Sequence, residues 1–419
     1  MTDRSIVDYK AVIVRALVRI LHVTPYSADA WAYGGIPRLM DSLTRGLARR
    51  GHEVTVCTTD ACDALERLPA GAPGRDRLHA WPATHTPARV EVRVFPNVSN
   101  RLAYHLQLFL PLGLHEYLRR HAGSFDVAHL HACRNLPGAI AAYHLQQAGV
   151  PYVLAPNGTA PLIERRLIAK RAFDLVAGGR VLDGAARVLA VSHAERLQLR
   201  ELGVPAPVIR DIPNPVDLDE FASRPATGAF RRRFALRPGP IVLFLGKLTP
   251  RKRVDVLAHA FARLRRPDAT LVIAGNDMGA GTRLQSVVRT LGIEQRTVFT
   301  GLLRAEERLE ALADADVVVY PSQHEIFGLV PLESLLSGTP VIVADDSGCG
   351  EIVRAIGGGQ VVPLGDVEAL AGAIDGVLEE PTRWRAAAAD AAVRVRATYG
   401  ADVVCAQLDR LYGEMVANA

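Results

Sequence analysis

The sequence predicts an α/β protein made of two doubly wound parallel-sheet domains that face each other across a cleft. Three observations predict it. Short β-branched runs alternate with amphipathic stretches of roughly 10–20 residues, the signature of strand–helix–strand units. The alternation breaks at 203–217, where GVPAPVIRDIPNPVD carries four prolines and one glycine, and then restarts. The length of 419 residues suits two domains at about 100–200 residues each.

In the first half the strands read Ile20–Val23, Glu53–Cys57, Val90–Phe95, Val127–Leu130, Tyr152–Ala155 and Val188–Val191. Helices are predicted over Ile36–Arg50, Leu102–His121 and Leu136–Ala148. Gly51 stops the first, as glycine does just past a helix end. In the second half the strands read Ile241–Leu245, Thr270–Ala274, Thr297–Thr300, Val317–Tyr320, Val341–Val343 and Gln360–Val362. The helices between them read Val254–Leu264, Thr282–Leu291, Ala305–Ala313, Val330–Ser337 and Asp366–Leu378. This divides the chain into a first domain (1–205), a proline-rich hinge (206–218), a second domain (219–380) and Ala-rich C-terminal helices (381–419) that pack back toward the first domain. Ligands of such sheets bind beyond the carboxyl ends of the strands.

Hydrophobic residues make up 49%, charged residues 22%, and the mean hydropathy is +0.11. Collagen-like, low-complexity and largely disordered chains are excluded. The five cysteines (Cys57, Cys62, Cys133, Cys349, Cys405) are scattered, with no zinc spacing. A reducing, cytoplasmic setting is expected. The net charge of +5 is uneven: 1–210 hold 26 Lys+Arg against 17 Asp+Glu, or +9, and 211–419 hold 23 against 27, or −4. A basic first half suits an anionic partner. Arg165, Arg166, Lys170 and Arg171 share one helical stretch, which suits peripheral association with an anionic membrane. The apolar run Ala11–Val23 contains Arg15 and Arg19 and is too short to span a bilayer, which takes ~20 apolar residues. Residues before about Val18 read as an extension outside the fold.

Four segments can carry chemistry. Pro321–Pro340 starts at the carboxyl end of the strand Val317–Tyr320. It holds Glu325, Gly328 and, eight positions after the first carboxylate, Glu333 on a helix. Gly328 permits a tight turn, so backbone N–H groups point into the cleft. The helix amino end favours an anion, and two carboxylates can grip two sets of hydroxyls. GKLTPRKR at 246–253 holds two of the chain's four lysines, Lys247 and Lys252, in a protein that otherwise uses arginine. A compact ammonium suits a diphosphate. Gly34 and Gly35, before the first helix, let backbone approach a phosphate. His129 and His131 lie on one side of a strand end, where His131 can face the cleft. No GxxxxGK[ST], GxSxG or HExxH motif occurs, nor a basic stretch interleaved with aromatics, so P-loop, serine-hydrolase, zincin and nucleic-acid chemistry are not expected. No Asp-x-Asp pair outside turns calls for a divalent metal.

Over roughly residues 18–400 the chain resembles the family 4 retaining glycosyltransferases, which have the GT-B fold of two facing Rossmann-like domains. The resemblance rests on Glu325…Glu333 within PSQHEIFGLVPLESLLSGTPVI, on FLGKLTPRKRVDVLAHAF, on the amino-terminal RILHVTPYSADAWAYGGIPRLMDSLTRGLARRGHEVTVCT, and on IPNPVD at 212–217. It implies transfer of a hexosyl unit from a nucleotide-diphosphate sugar to a glycan, glycolipid or lipid-linked acceptor in cell-surface polysaccharide biosynthesis. The second domain would hold the donor and the first the acceptor, with no metal and no cofactor. By the same resemblance Glu325 binds donor-sugar hydroxyls, and Glu333 the ribose. Lys247 and Lys252 neutralise the diphosphate. Backbone at Phe327, Gly328, Leu329 and Val330 touches sugar and phosphate, Gly35 brings an N–H to the phosphate, and His131 lies near the transferred sugar. Thr300 and Leu302 flank the base. Departures are Lys247 where arginine is usual, Pro215 in place of the hinge glycine, Asn157 where many members carry histidine, and Cys349 in a Gly-rich turn at 347–351. A silent sugar-nucleotide-binding partner and a GT-B sugar-nucleotide epimerase stay open as other readings.

Overall fold

The computed structural model describes residues 17–28, 30, 33–63, 66–68, 90–161, 173–174, 179–346 and 348–418. The basic stretch at 165–171 and the segment before Leu17 lie outside the described residues.

The first sheet holds β1 (Arg19–Val23), β2 (Glu53–Thr59), β3 (Val90–Phe95), β4 (Val127–His131), β5 (Tyr152–Ala155), β6 (Arg187–Ala190) and β7 (Ile209–Asp211), in the order 3-2-1-4-5-6-7. The second holds β8 (Ile241–Leu245), β9 (Thr270–Ala274), β10 (Thr297–Gly301), β11 (Val317–Tyr320), β12 (Val341–Asp345) and β13 (Gly359–Pro363), in the order 10-9-8-11-12-13. The pairings within both sheets are parallel. Strand order reverses between β1 and β4 and again between β8 and β11, and a crevice opens at such a reversal. β8, β9 and β11 are buried at every position. Helices cover both faces of a parallel sheet, so its central strands are apolar throughout rather than alternating.

Four expectations change. The helix at Leu102–His121 is two helices, Asn100–Leu106 and Leu114–His121. Gln107 ends the first with a φ of 53°, Pro111 has no N–H to continue a helix, and Gly113 (φ 85°) opens the second. Part of the 206–218 hinge is sheet, because β7 pairs with β6 at the edge of the first sheet. Pro207 and Pro213 flank β7 and leave its N–H groups free to pair. The C-terminal helices divide. Pro381–Tyr399 buries Ala388, Ala391 and Val395 in the second domain's core. Only Ala401–Ala417 crosses back, packing Val404, Cys405, Leu408 and Tyr412 with Leu39, Leu43 and Leu47 of the helix Gly35–Arg49. A Cβ on Gly46 would lie 2.5 Å from Cys405 Sγ, so this crossing needs glycine there. Finally, a helix at Gly348–Ile356 occupies most of the expected Gly-rich turn. No helix among the described residues is long and apolar enough to cross a membrane.

Candidate active site

The carboxyl edges of the two sheets enclose a cleft of about 550 Å³. Second-domain residues form its charged floor. β11 delivers Tyr320, and the loop after it turns through His324 (φ 53°) to bring Glu325 inward. The Lys252 ammonium lies 2.5 Å from Glu325 Oε2 and 4.4 Å from the Tyr320 ring centre, and it also donates to the Tyr320 hydroxyl. Lys252 is 5% exposed. Burial opposes its charge, but the Glu325 carboxylate and the Tyr320 hydroxyl outweigh that and hold it above the usual lysine range.

Lys247 sits differently. Its Nζ reaches across the cleft to the Tyr33 carbonyl at 3.1 Å. Burial, with Lys252 and Arg251 nearby, pushes its pKa down to about 8 against the opposing pull of Glu325. Gly34 faces it with φ 91°, and a Cβ there would lie 3.0 Å from Lys247 Cε. A Cβ on Gly35 would lie 2.9 Å from Leu329 Cδ1. At these two glycines the first domain comes against Lys247 and Leu329 of the second.

The helix Leu329–Leu336 begins at the floor, with Gly328 at its cap. Gly328 has an ordinary φ of −98°, so a tight turn does not require it. Packing does: a Cβ would overlap Cys349 Sγ. Glu333, 2% exposed, is held by Arg308 Nη1 at 2.7 Å and by Arg38, which reaches over from the first domain. Arg308 also pairs with Glu220. Burial and the neighbouring Arg308 push Arg38 down to about 9. Arg45 and Arg49, on the same helix as Arg38, pair with Asp217 and Asp219. The three arginines stand at i, i+7 and i+11, one stripe of a helix, and fasten it to Glu333 in the second domain, to Asp217 in the hinge and to Asp219 just past it.

Apart from Arg38 and Arg134, the first-domain lining is uncharged. Tyr26, Phe109, Gln107 and Asn157 line the wall. Asn157 has φ 51°, and its buried Oδ1 has no partner among the described residues. Of the six non-glycine residues described with positive φ, four (Gln107, Ala132, Asn157, His324) line the cleft. Such strain persists where the surroundings over-determine it, typically at functional sites.

The cleft thus gathers Gly34, Gly35, Asn157, Lys247, Lys252, Leu302, Glu325, Phe327, Leu329, Val330 and Glu333. Thr300, Gly328 and His131 are not among its lining residues. Thr300 turns its hydroxyl onto the Gly301 carbonyl at 3.0 Å. His131, expected to face the cleft, is fully buried with His22 and His129 on the face covered by the helices Gly35–Arg49 and Ala401–Ala417. Its Nε2 is 3.1 Å from His22 Nδ1, and burial with His22 nearby keeps its pKa well below the usual value. Ligand atoms of the three imidazoles lie within 4.8 Å of one another. The rings of His129 and His131 are stacked at 4.2 Å, however, so their in-plane lone pairs run side by side and do not converge on one ion. Arg38, Arg308 and Tyr320 escaped the sequence reading. Each looks ordinary in its own helix or strand, and only the fold brings its partner near.

Two family models cover the chain: Glycosyltransferase Family 4 over residues 33–220, and Glycosyl transferases group 1 over 229–394. A GDP-mannose-dependent alpha-mannosyltransferase of Mycobacterium tuberculosis is 32% identical over 84% of this chain and 87% of its own length. The chain is a family 4 glycosyltransferase. A D-inositol 3-phosphate glycosyltransferase of Frankia alni is 30% identical to this glycosyltransferase over 90% of the chain and 92% of its own length. Its architecture is that of solved GT-B enzymes. HepE of Anabaena, solved with UDP and glucose, superposes with a TM-score of 0.73 at 18% identity, covering 95% of this chain and 100% of that one. Sucrose-phosphate synthase from Thermosynechococcus elongatus superposes with a TM-score of 0.72 at 22% identity, covering 96% of this chain and 100% of that one.

Proposed function

We propose that this glycosyltransferase moves a hexosyl unit from a nucleotide-diphosphate sugar to a glycan, glycolipid or lipid-linked acceptor, retaining the anomeric configuration and using no divalent metal. The observation that carries the reading is the Lys252–Glu325 pair beside Lys247, opposite Gly34 and Gly35 in one cleft. Two ammonium groups can balance a diphosphate that gains charge as it departs, and in a confined site such fixed charge is worth far more than in water. The mannosyltransferase relative uses GDP-mannose, and HepE was solved with UDP; a nucleotide-diphosphate donor here is in keeping with both.

Glu325 is committed to Lys252, and Glu333 to two arginines. Neither is free to act as a nucleophile toward the anomeric carbon. That supports attack on the face the leaving group departs from, with the departing phosphate taking the acceptor's proton. Glu325 then orients donor-sugar hydroxyls, Glu333 meets the ribose, and the Phe327–Val330 turn meets the phosphates. The wall of Tyr26, Phe109, Gln107 and Asn157 receives the acceptor. The basic first half is in keeping with a cytoplasmic enzyme peripheral to an anionic membrane that contributes to cell-surface polysaccharide.

A screen of nucleotide sugars for hydrolysis, followed by acceptors, tests the reading. One donor should be turned over, with product of unchanged anomeric configuration by NMR, and EDTA should leave the rate unaltered. The Glu325→Ala variant should fold and lose transfer. Normal turnover by that variant, inversion, or abolition by EDTA would each overturn the corresponding part.

A further inference from the structure

The Glu195 carboxylate lies outside the cleft, yet it is tied to two backbone segments that line it. Glu195 is fully buried at the third position of the helix His193–Glu201, which Ser192 caps by accepting from the Glu195 N–H. One carboxylate oxygen accepts from Gly158 N–H at 2.6 Å, just past β5. The other accepts from Val191 N–H at 3.0 Å, just past β6. Both Gly158 and Val191 line the cleft.

Gly158 follows Asn157, whose left-handed backbone the turn must hold. The turn also presses on the opposite domain: a Cβ on Gly158 would lie 3.1 Å from Ile326 Cγ1, and Ile326 is the neighbour of Glu325. One buried carboxylate therefore fixes the strained turn and, through it, the wall that faces Glu325. We propose that Glu195 is a positioning residue for transfer, clamping the Asn157–Gly158 turn against Ile326 so that the acceptor wall meets the donor floor in register.

The surroundings explain why the group is worth keeping. A buried carboxylate costs free energy unless paired or well hydrogen-bonded. Among the described residues its hydrogen-bond partners are the backbone N–H groups of Gly158 and Val191. Burial raises its pKa to about 7, against the two N–H bonds that lower it. Cys133, just past β4, is a buried thiol whose pKa is raised chiefly by burial and slightly by the Glu195 charge. The neighbouring guanidiniums are committed elsewhere, Arg134 to Asp174 and Arg196 to Asp211, and Glu351 accepts from His193 N–H. Ionised, Glu195 accepts both N–H bonds. Protonated, it keeps one strong acceptor oxygen, and the turn loosens.

The inference rests on the transferase reading, and the test separates the two. Glu195→Gln and Glu195→Ala are compared with the parent in three measurements. Nucleotide affinity by calorimetry should be unchanged, because the donor sits on the other domain; if the parent itself binds no nucleotide, it is the transferase reading that fails. Hydrogen exchange of peptides covering 156–160 should speed up in both variants. Turnover should fall roughly ten- to hundredfold, as misplacement remote from the chemistry does, and the parent's rise in kcat through about pH 7 should be absent in Glu195→Gln. Unchanged exchange at 156–160, or a variant with parental kcat and the parental pH profile, overturns the proposal. If Glu195→Ala fails to fold, the isosteric Glu195→Gln carries the same three readouts.

Discussion

The two walls of the cleft are built on the same principle, a parallel sheet presenting its carboxyl edge, yet they are chemically unlike. The second domain's edge is a set of pre-paired charges: Lys252 with Glu325, and Glu333 with Arg308. The first domain's edge is glycines, strained turns and neutral amides: Gly34, Gly35, Gln107 and Asn157. A site that must stabilise developing charge needs fixed, buried charges that do not reorganise. A site that must seat an acceptor hydroxyl needs shape and hydrogen-bonding groups at defined angles. Arg38, which lines the cleft from the first domain as Arg134 also does, joins the two walls as a cation sunk into the second domain's acid.

Variants sharpen this contrast. Lys252→Ala, on the charged floor, should have the largest effect: a fall in kcat of roughly 10²–10³-fold with the fold intact by circular dichroism, as for loss of one pre-organised charge. A loss under tenfold would remove Lys252 from the chemistry. Arg38→Ala, at the join, should lower the unfolding free energy by about 2 kcal/mol in urea, because Glu333 keeps only Arg308. No change would mean that the pair across the cleft forms only weakly in solution.

The smallest expected effect is a pH dependence set by Lys247. Its folded pKa is lowered to about 8, and a bound diphosphate favours the charged form, so binding takes up a proton above that pH. Nucleotide affinity should therefore be flat below pH 8 and fall above it, by at most about tenfold per unit. Lys247→Arg should keep it flat to pH 10. A parent curve that stays flat to pH 10 would place the diphosphate away from Lys247.

Much of the charged floor was legible because its residues are close in sequence. Glu325 and Glu333 are eight positions apart, Lys247 and Lys252 five, and each pair follows an unmistakable buried strand. The first-domain wall was far less legible. Asn157 drew notice only by resemblance, and nothing in the local pattern announced its left-handed backbone or the reach of Glu195 to Gly158. His131 misled because strand alternation fixes which face a side chain shares with His129, not which layer covers that face. The covering helix, Ala401–Ala417, comes from the far end of the chain. Helix breaks at Gln107 and Gly113 and the short edge strand β7 were missed for a simpler reason, since proline and glycine signals were read as one hinge or passed over within an apolar run.

The sequence by itself determined two parallel α/β sheets, most of their strands and helices along the chain, and the acidic and basic groups of one wall. Periodicity, turn residues and motif spacing are local, and local patterns dictate local structure. Only the tertiary structure decided what those groups touch: Arg38 on Glu333, Lys247 on the Tyr33 carbonyl, Glu195 beneath the Asn157 turn, and His131 sealed away from the cleft. Each joins residues far apart in the chain. Their proximity is set by packing of the two domains and the returning C-terminal helix, which no short window of sequence contains.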